Sequence, residues 1–328
     1  MLILNSLFMI DVNAVILSNS PLFVKGKVSS TANSVMESAS SGTRHVLEYA
    51  RAANLTRVIL TGSFANVLHP DESWVPIVAT EDGKVIERLR ISRTNLLVLD
   101  WNPQTPDEVK KLGLHPWCMH TAARVTAERE LWKFSDANPN IDVTSSTFPF
   151  LLPSFPLPLL TPCPLCAVLP GFEFGPYGRG QATDLHRTGT FAWISALLHG
   201  RPGRPMTPNA PPFSPNYVHV ADVARAHVAA LRTGPVDPPR RKRVLLVAGY
   251  VLWHEVIAHL AEAMPEIKER LPSPMCGPGP QALAYARFET KNAREILGIE
   301  EYKSWREAIE DAVKDLMKVD SKMLTPQA

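Results

Sequence analysis

Cysteine is scarce, net charge is nearly absent, and no long apolar run is free of helix breakers. Four cysteines in 328 residues (Cys118, Cys163, Cys166 and Cys276) exclude a disulfide framework. Cys163 and Cys166 form a lone CxxC with no second pair and no histidine cluster beside it. That reads as a chance pair in a proline-rich segment, so no metal site is expected. A net charge of +2 leaves no electrostatic footprint for a nucleic-acid partner. The opening stretch, MLILNSLFMIDVNAVIL, is apolar but has no basic leader, and Asn5, Asp11 and Asn13 interrupt it, unlike a signal peptide. Residues 148–170 are uncharged and long enough to span a bilayer. Seven prolines lie among them (149, 153, 156, 158, 162, 164 and 170), and inside a helix each would remove a hydrogen bond and clash with the preceding turn. The expectation is a cytoplasmic protein with neither a membrane nor a nucleic-acid partner.

What is present is an alternation of short apolar runs with amphipathic stretches. NAVILS (13–18) and TRVILTGSFANV (56–67) are apolar runs that end in small polar residues, as buried parallel strands do. A helix is expected over 34–53, with Val46, Leu47 and Ala50 on one face. Another is expected over 120–135, where Ala123, Ala127, Leu131 and Phe134 share a face while Glu128, Arg129 and Lys133 turn to solvent. CAVLPGFEFGP (166–176) reads as a further strand. This order argues a right-handed βαβ series and a doubly wound parallel sheet, with chemistry at the carboxyl ends of the strands. Ser18, Ser63 and Pro170-Gly171 stand at such ends. In the last third, 216–231 reads as a strand turning into a helix and 241–249 as a strand, among further helices, so this third reads as a smaller, mostly helical lobe. Ser304 is placed to cap the last helix, with Glu307 completing a capping box.

The stretches NAVILSNSPL, GTRHVLEYARAANLTRVILTGSFANV, DWNPQTPDE, ARVTAERELWKF, LPGFEFGPYG, YVHVADVARAHVAAL and KNAREILGI occur collinearly from about residue 12 onward. Together they resemble the extended short-chain dehydrogenase/reductases of the dihydroflavonol-4-reductase-like branch, within the NAD-dependent epimerase/dehydratase group. The resemblance implies a Rossmann-like domain over 12–180 that binds NADP or NAD, interleaved with a substrate-side lobe over 181–320. It also implies a Ser-Tyr-Lys catalytic set. The tyrosine donates a proton to the substrate carbonyl as hydride arrives from the nicotinamide, the lysine tunes the tyrosine and holds the ribose, and the serine binds the carbonyl oxygen. Carried over by position, the serine is Ser63, the tyrosine's place is His120 and the lysine's is Arg124. Ser18, Arg124, Pro170, Gly171 and Phe172 fall at cofactor-binding positions.

The chain departs from that pattern in three places. Tyrosine is missing between Tyr49 and Tyr177, so no shifted register restores the phenol. His120 can move a proton in principle, but Arg124 nearby would depress its pKa and leave it mostly neutral. The alternative is a partly exposed histidine at a helix start with no chemical task. The glycine-rich turn that cradles a pyrophosphate has no counterpart, and the chain opens where the family's fourth strand stands. The resemblance therefore implies that three strand–helix steps, on the order of 70 residues, and their strand neighbour are absent from the sheet. Residues 145–165 interrupt the path from NIDVT into AVLPGFEFGP and read as an insertion with the composition of a translated intron.

Two functions follow. One is an NAD(P)-dependent oxidoreductase acting on a carbonyl or secondary alcohol of a small molecule, with Ser63, His120 and Arg124 as its catalytic set. The other is a catalytically inactive relative, either a pseudoenzyme, an interaction protein or the product of a faulty gene model. His219 and Asp222 read as ties between a strand end and a helix start, with Asp222 capping a helix from Val223, and not as a metal pair. Arg240 to Arg243 reads as a solvated basic loop, and GPYGRG (175–180) as a substrate-side turn.

Overall fold

A computed structural model describes residues 14–18, 32–55, 57–67, 77–79, 85–88, 102, 107, 116–138, 165–177, 189–199, 201–204, 216–234, 236, 241–273 and 287–319. Of the expected insertion at 145–165, residues 145–164 lie outside them, while Leu165 opens a buried strand.

Five elements build the central layer: β1 (Ala14–Ser18), α1 (Ala32–Ala52), β2 (Arg57–Thr61), α2 (Pro116–Ala137) and β5 (Leu165–Pro170). Between them in sequence lie two short strands, β3 (Ile77–Ala79) and β4 (Val85–Arg88). After β5 come β6 (Glu173–Phe174), α3 (Gly189–Leu198), β7 (Asn216–His219), α4 (Val220–Ala230) and β8 (Arg243–Leu246). The chain ends with β9 (Gly249–Tyr250), α5 (Trp253–Ala263), β10 (Arg287–Phe288), α6 (Lys291–Leu297) and α7 (Trp305–Val319).

The main sheet has the order β1-β2-β5-β8, and every pair in it is parallel. β2, β5 and β8 are apolar on both sides because both faces are covered, the signature of a parallel sheet, whereas Ile16 of the edge strand β1 is exposed. Val58 and Leu60 of β2 pack with Leu165, Ala167 and Leu169 of β5 against Val46, Leu47 and Ala50 of α1 and Leu131 of α2. The alternate residues Ile59, Cys166, Val168, Val244 and Leu246 face Val223, Ala226 and Ala230 of α4 and Ala293 of α6. Cys166 is thus a buried core residue of β5. Small side chains let α1 and α2 approach closely, with Val35 and Ala39 set against Ala123. β8 comes from the last third of the sequence, so that third contributes a strand to the main sheet as well as helices. A second small sheet, β6-β7-β9, lies beyond the carboxyl end of β5.

The structure corrects the sequence reading in four places. α2 begins at Pro116, whose missing N–H costs nothing in a first helical turn, so His120 sits in the second turn and not at the start. Glu128 does not face solvent. It is fully buried and bridges to Arg243, with Oε1 2.6 Å from Nε and Oε2 3.1 Å from Nη2. The basic run is likewise no solvated loop, because Lys242 and Arg243 are both buried. Finally, α4 starts at Val220 and is capped by His219, whose Nδ1 accepts from the Ala221 N–H at 2.9 Å. Asp222 instead binds Arg225 and the Lys303 N–H. Ser304 caps α7 by accepting from the Glu307 N–H at 3.2 Å, while the Glu307 carboxylate turns to Lys303 and leaves the capping box half made.

Candidate active site

Register places the strand ends together. Ser18 pairs with Thr61 in β1–β2, and Thr61 pairs with Val168 in β2–β5. The Gly62 N–H then donates to the Val168 carbonyl at 2.8 Å, and the Gly171 N–H to the Leu246 carbonyl at 2.9 Å. Ser18, Ser63 and the Pro170–Phe172 turn therefore share one edge of the sheet.

Ser63 has an extended backbone (φ −155°) and caps a short 3-10 turn, Phe64–Asn66. Its Oγ accepts from the Ala65 N–H at 3.3 Å, which leaves the hydroxyl proton free to be donated to a carbonyl oxygen. The turn is clamped from behind. Asn66 Nδ2 donates to Glu128 at 2.7 Å, Arg243 Nη2 donates to the Asn66 carbonyl at 3.1 Å, and Asn102 Nδ2 donates to the Ala65 carbonyl at 2.7 Å. Gly62 cannot carry a side chain here, since a Cβ would stand 2.4 Å from Leu169 and 2.9 Å from the Asn66 amide.

His120 and Arg124 lie one helical turn apart, on one face of α2. Arg124 Nη1 donates to the Thr61 carbonyl at 2.6 Å, which binds α2 to the strand end two residues before Ser63. Burial pushes the Arg124 guanidinium down to about 10, against the opposing pull of Glu173, so it remains a cation at neutral pH. Its Nε is buried and has no hydrogen-bond partner among the described residues. Burial, and then the positive charge of Arg124, lower His120 to about 4. The arginine acts in the direction expected from the sequence, but burial is the larger cause. At neutral pH the imidazole is uncharged and has no proton to spare as an acid.

That shift carries a stability consequence. The unfolded histidine binds its proton near pH 6.5 and the folded one only near 4, so its contribution is full above pH 6.5 and is lost as pH falls toward 4. The loss should reach about 3 kcal/mol. Urea unfolding at pH 7 and pH 4.5, for the wild type and for His120→Gln, isolates it. Equal pH slopes for the two proteins would refute the assignment.

Thr61 is also held from the opposite face. The short 2.7 Å contact of His227 Nδ1 with the Val223 carbonyl requires a proton on Nδ1, so Nε2 accepts from the Thr61 hydroxyl at 2.8 Å. At the β5 end, Asn216 Oδ1 accepts from the Phe172 N–H at 3.2 Å and lies where a Gly171 Cβ would have to be, 2.5 Å away. The Phe172 ring packs edge-on against Phe64 at 4.9 Å and Trp193 at 4.8 Å.

The sequence reading missed Glu173, Asn66, Glu128, Arg243, His227 and Asn216. Glu173 alone gave a signal, as the one charge inside AVLPGFEFGP. The others lie far apart in sequence and meet only through the fold. Among the described residues, no group of three or more His, Cys, Asp or Glu side chains could hold a metal ion. No helix among them is long and apolar enough to cross a membrane.

No family model matches the chain. An uncharacterised oxidoreductase of Saccharomyces cerevisiae is 23% identical over 291 residues, which cover 87% of this chain and 71% of that protein. Yeast methylglyoxal/isovaleraldehyde reductase Gre2, complexed with NADPH, superposes with a TM-score of 0.68 at 20% identity, over 95% of this chain and 79% of that one. Gre2 of Candida albicans, also with NADPH, gives 0.66 at 20% identity over 94% and 77%. UDP-glucuronic acid 4-epimerase of Bacillus cereus, with NAD, gives 0.57 at 12% identity over 98% and 78%. These likenesses show an α/β Rossmann-like fold, as the sequence led one to expect.

Proposed function

We propose that this chain is an NAD(P)-dependent oxidoreductase acting on a carbonyl group, or the corresponding secondary alcohol, of a small molecule. The observation that carries this reading is the strand-end arrangement: Arg124 is anchored to the Thr61 carbonyl two residues before Ser63, and Thr61 pairs with Val168 just before the Pro170–Phe172 turn. It stands in a fold whose relatives have been solved with NADPH and NAD.

The nicotinamide end of such a cofactor fits the residues present. The partnerless Arg124 Nε is a buried donor suited to an oxygen ligand such as a ribose hydroxyl. Ser18, Arg124, Pro170, Gly171 and Phe172 would hold it, and when bound it supplies hydride. Ser63 would orient the carbonyl by donating to its oxygen. The domain division at residue 180 belongs to the same reading, with 181–320 shaping the substrate side.

Fluorescence titration of the 328-residue chain with NADPH and NADH, followed by cofactor consumption over a panel of aldehydes and ketones, tests the proposal. Binding should be saturable but weak, because no glycine-rich turn exists in these 328 residues to seat the pyrophosphate on backbone N–H groups. Turnover should be slow and confined to carbonyl substrates. No saturable binding of either cofactor would refute the proposal and leave the non-catalytic reading.

A further inference from the structure

Thr61, the last residue of β2, is held from both faces of the sheet. On one face Arg124 Nη1 of α2 donates to its carbonyl at 2.6 Å. On the other, its hydroxyl donates to His227 Nε2 of α4 at 2.8 Å. The imidazole is fixed in turn, because Nδ1 donates to the Val223 carbonyl at 2.7 Å, one turn back along α4. That bond sets the tautomer and the ring orientation together. Burial holds the His227 pKa below its ordinary value, so the ring is neutral at neutral pH and Nε2 keeps its lone pair for the hydroxyl. His227 stands in an otherwise apolar layer with Val223, Ala226 and Ala230. Packing alone would be served there by an apolar side chain, which avoids desolvating two ring nitrogens. The link from Thr61 to Ser63 has no slack. Gly62 between them donates its N–H to the Val168 carbonyl at 2.8 Å, and a Cβ on it would stand 2.4 Å from Leu169. A displacement of Thr61 is therefore passed to Ser63 along the chain and to Arg124 through its anchor.

We propose that His227 is a positioning residue for the candidate site. By holding the Thr61 hydroxyl from the far face of the sheet, it fixes the carbonyl on which Arg124 is anchored and, two residues on, the place of Ser63. For its effect on turnover the inference rests on the oxidoreductase reading. The coupling of His227 to Arg124 across the sheet stands apart from that reading. His227 acts only through Thr61, and no proton moves in this role.

The test combines a spectroscopic signature with kinetics. Nitrogen NMR of the Arg124 Nε–H, its signal identified by its loss in Arg124→Lys, reads the guanidinium directly. Thr61→Val removes only the hydroxyl, and His227→Phe keeps a planar ring. In both, the Arg124 signal should shift and kcat/KM for NADPH-dependent carbonyl reduction should fall roughly 10-fold. The double variant should fall no further than either single one, because both remove the same bond. His227→Gln, whose amide oxygen can accept from the hydroxyl, should restore most of both. Leu297→Ala opens a void in the same apolar layer, on α6, and should move neither. Should His227→Phe fail to fold, Thr61→Val carries the test by itself. An unmoved Arg124 signal or wild-type kcat/KM in Thr61→Val would overturn the inference, as would equal effects in Leu297→Ala. A wild type that binds no NADPH would instead overturn the oxidoreductase reading, and the Arg124 signal would still decide the coupling.

Discussion

Replacing Glu128 with alanine should lower the unfolding free energy by about 3–5 kcal/mol. The carboxylate is fully buried and accepts from three partners: Arg243 at 2.6 Å, the Asn66 amide at 2.7 Å and the Trp132 indole N–H at 3.1 Å. Alanine removes the acceptor that all three donors share, and one of them, a guanidinium 4% exposed, loses its counter-charge. A buried charge deprived of its partner costs far more than the pair contributed, because water cannot reach it. Glu128→Gln keeps one acceptor but not the charge and should fall between. Removing both members, as Glu128→Leu with Arg243→Met, should recover much of the loss, since an apolar pair of similar volume avoids the desolvation cost. Urea unfolding of the four proteins measures each step. A loss below about 1 kcal/mol for the alanine variant would mean that the pair is solvated after all. The same variant should loosen the Ser63 turn, because Glu128 and Arg243 clamp Asn66 from two sides.

That pair also shows where the sequence was legible and where it was not. The parallel sheet could be read because its inner strands are buried on both faces and appear as unbroken apolar runs, RVILT and LCAVLP, and β1 keeps such a run although Ile16 is exposed. The strand ends could be read for the same reason, since small residues follow each run. Glu128 could not. Its place in a helix with Arg129 and Lys133 gave it the look of a solvated face, and only the arrival of β8 from 115 residues away brings Arg243 over it. Residue types fix a local period, but the partner that buries a charge is a property of the fold. Asp222 was misread as the helix cap for a related reason. An imidazole nitrogen caps a helix as well as a carboxylate oxygen when Nε2 finds an acceptor, and here Asp311 supplies one at 3.4 Å. The resemblance named Ser63, His120 and Arg124 as candidates and was silent on Glu173, because a residue outside the family's catalytic set attracts no attention in a comparison of motifs.

Arg124→Leu should reduce kcat/KM by ~10²–10³-fold, the range found when one preorganised electrostatic stabiliser is removed. Two features are lost at once: the donor to the Thr61 carbonyl and the buried, unpartnered Nε. Stability should change much less, staying within about 1 kcal/mol of the wild type, because relief of a buried charge offsets one lost hydrogen bond. A loss of activity in a protein that unfolds normally is therefore informative. Two titrations give it direction. Without the neighbouring cation His120 should move up from about 4, yet stay below 6.5 because burial, the larger cause, remains. The Glu173 carboxyl should rise further, since Arg124 is the group that opposes its burial. Arg124→Lys keeps a cation but not the planar fork, so it should hold both titrations near their wild-type values while weakening the Thr61 contact. Imidazole and carboxyl NMR of the three proteins, together with NADPH consumption, measure these effects. Wild-type kcat/KM in the leucine variant would remove Arg124 from the site, and an unmoved His120 would show that the two side chains do not sense one another.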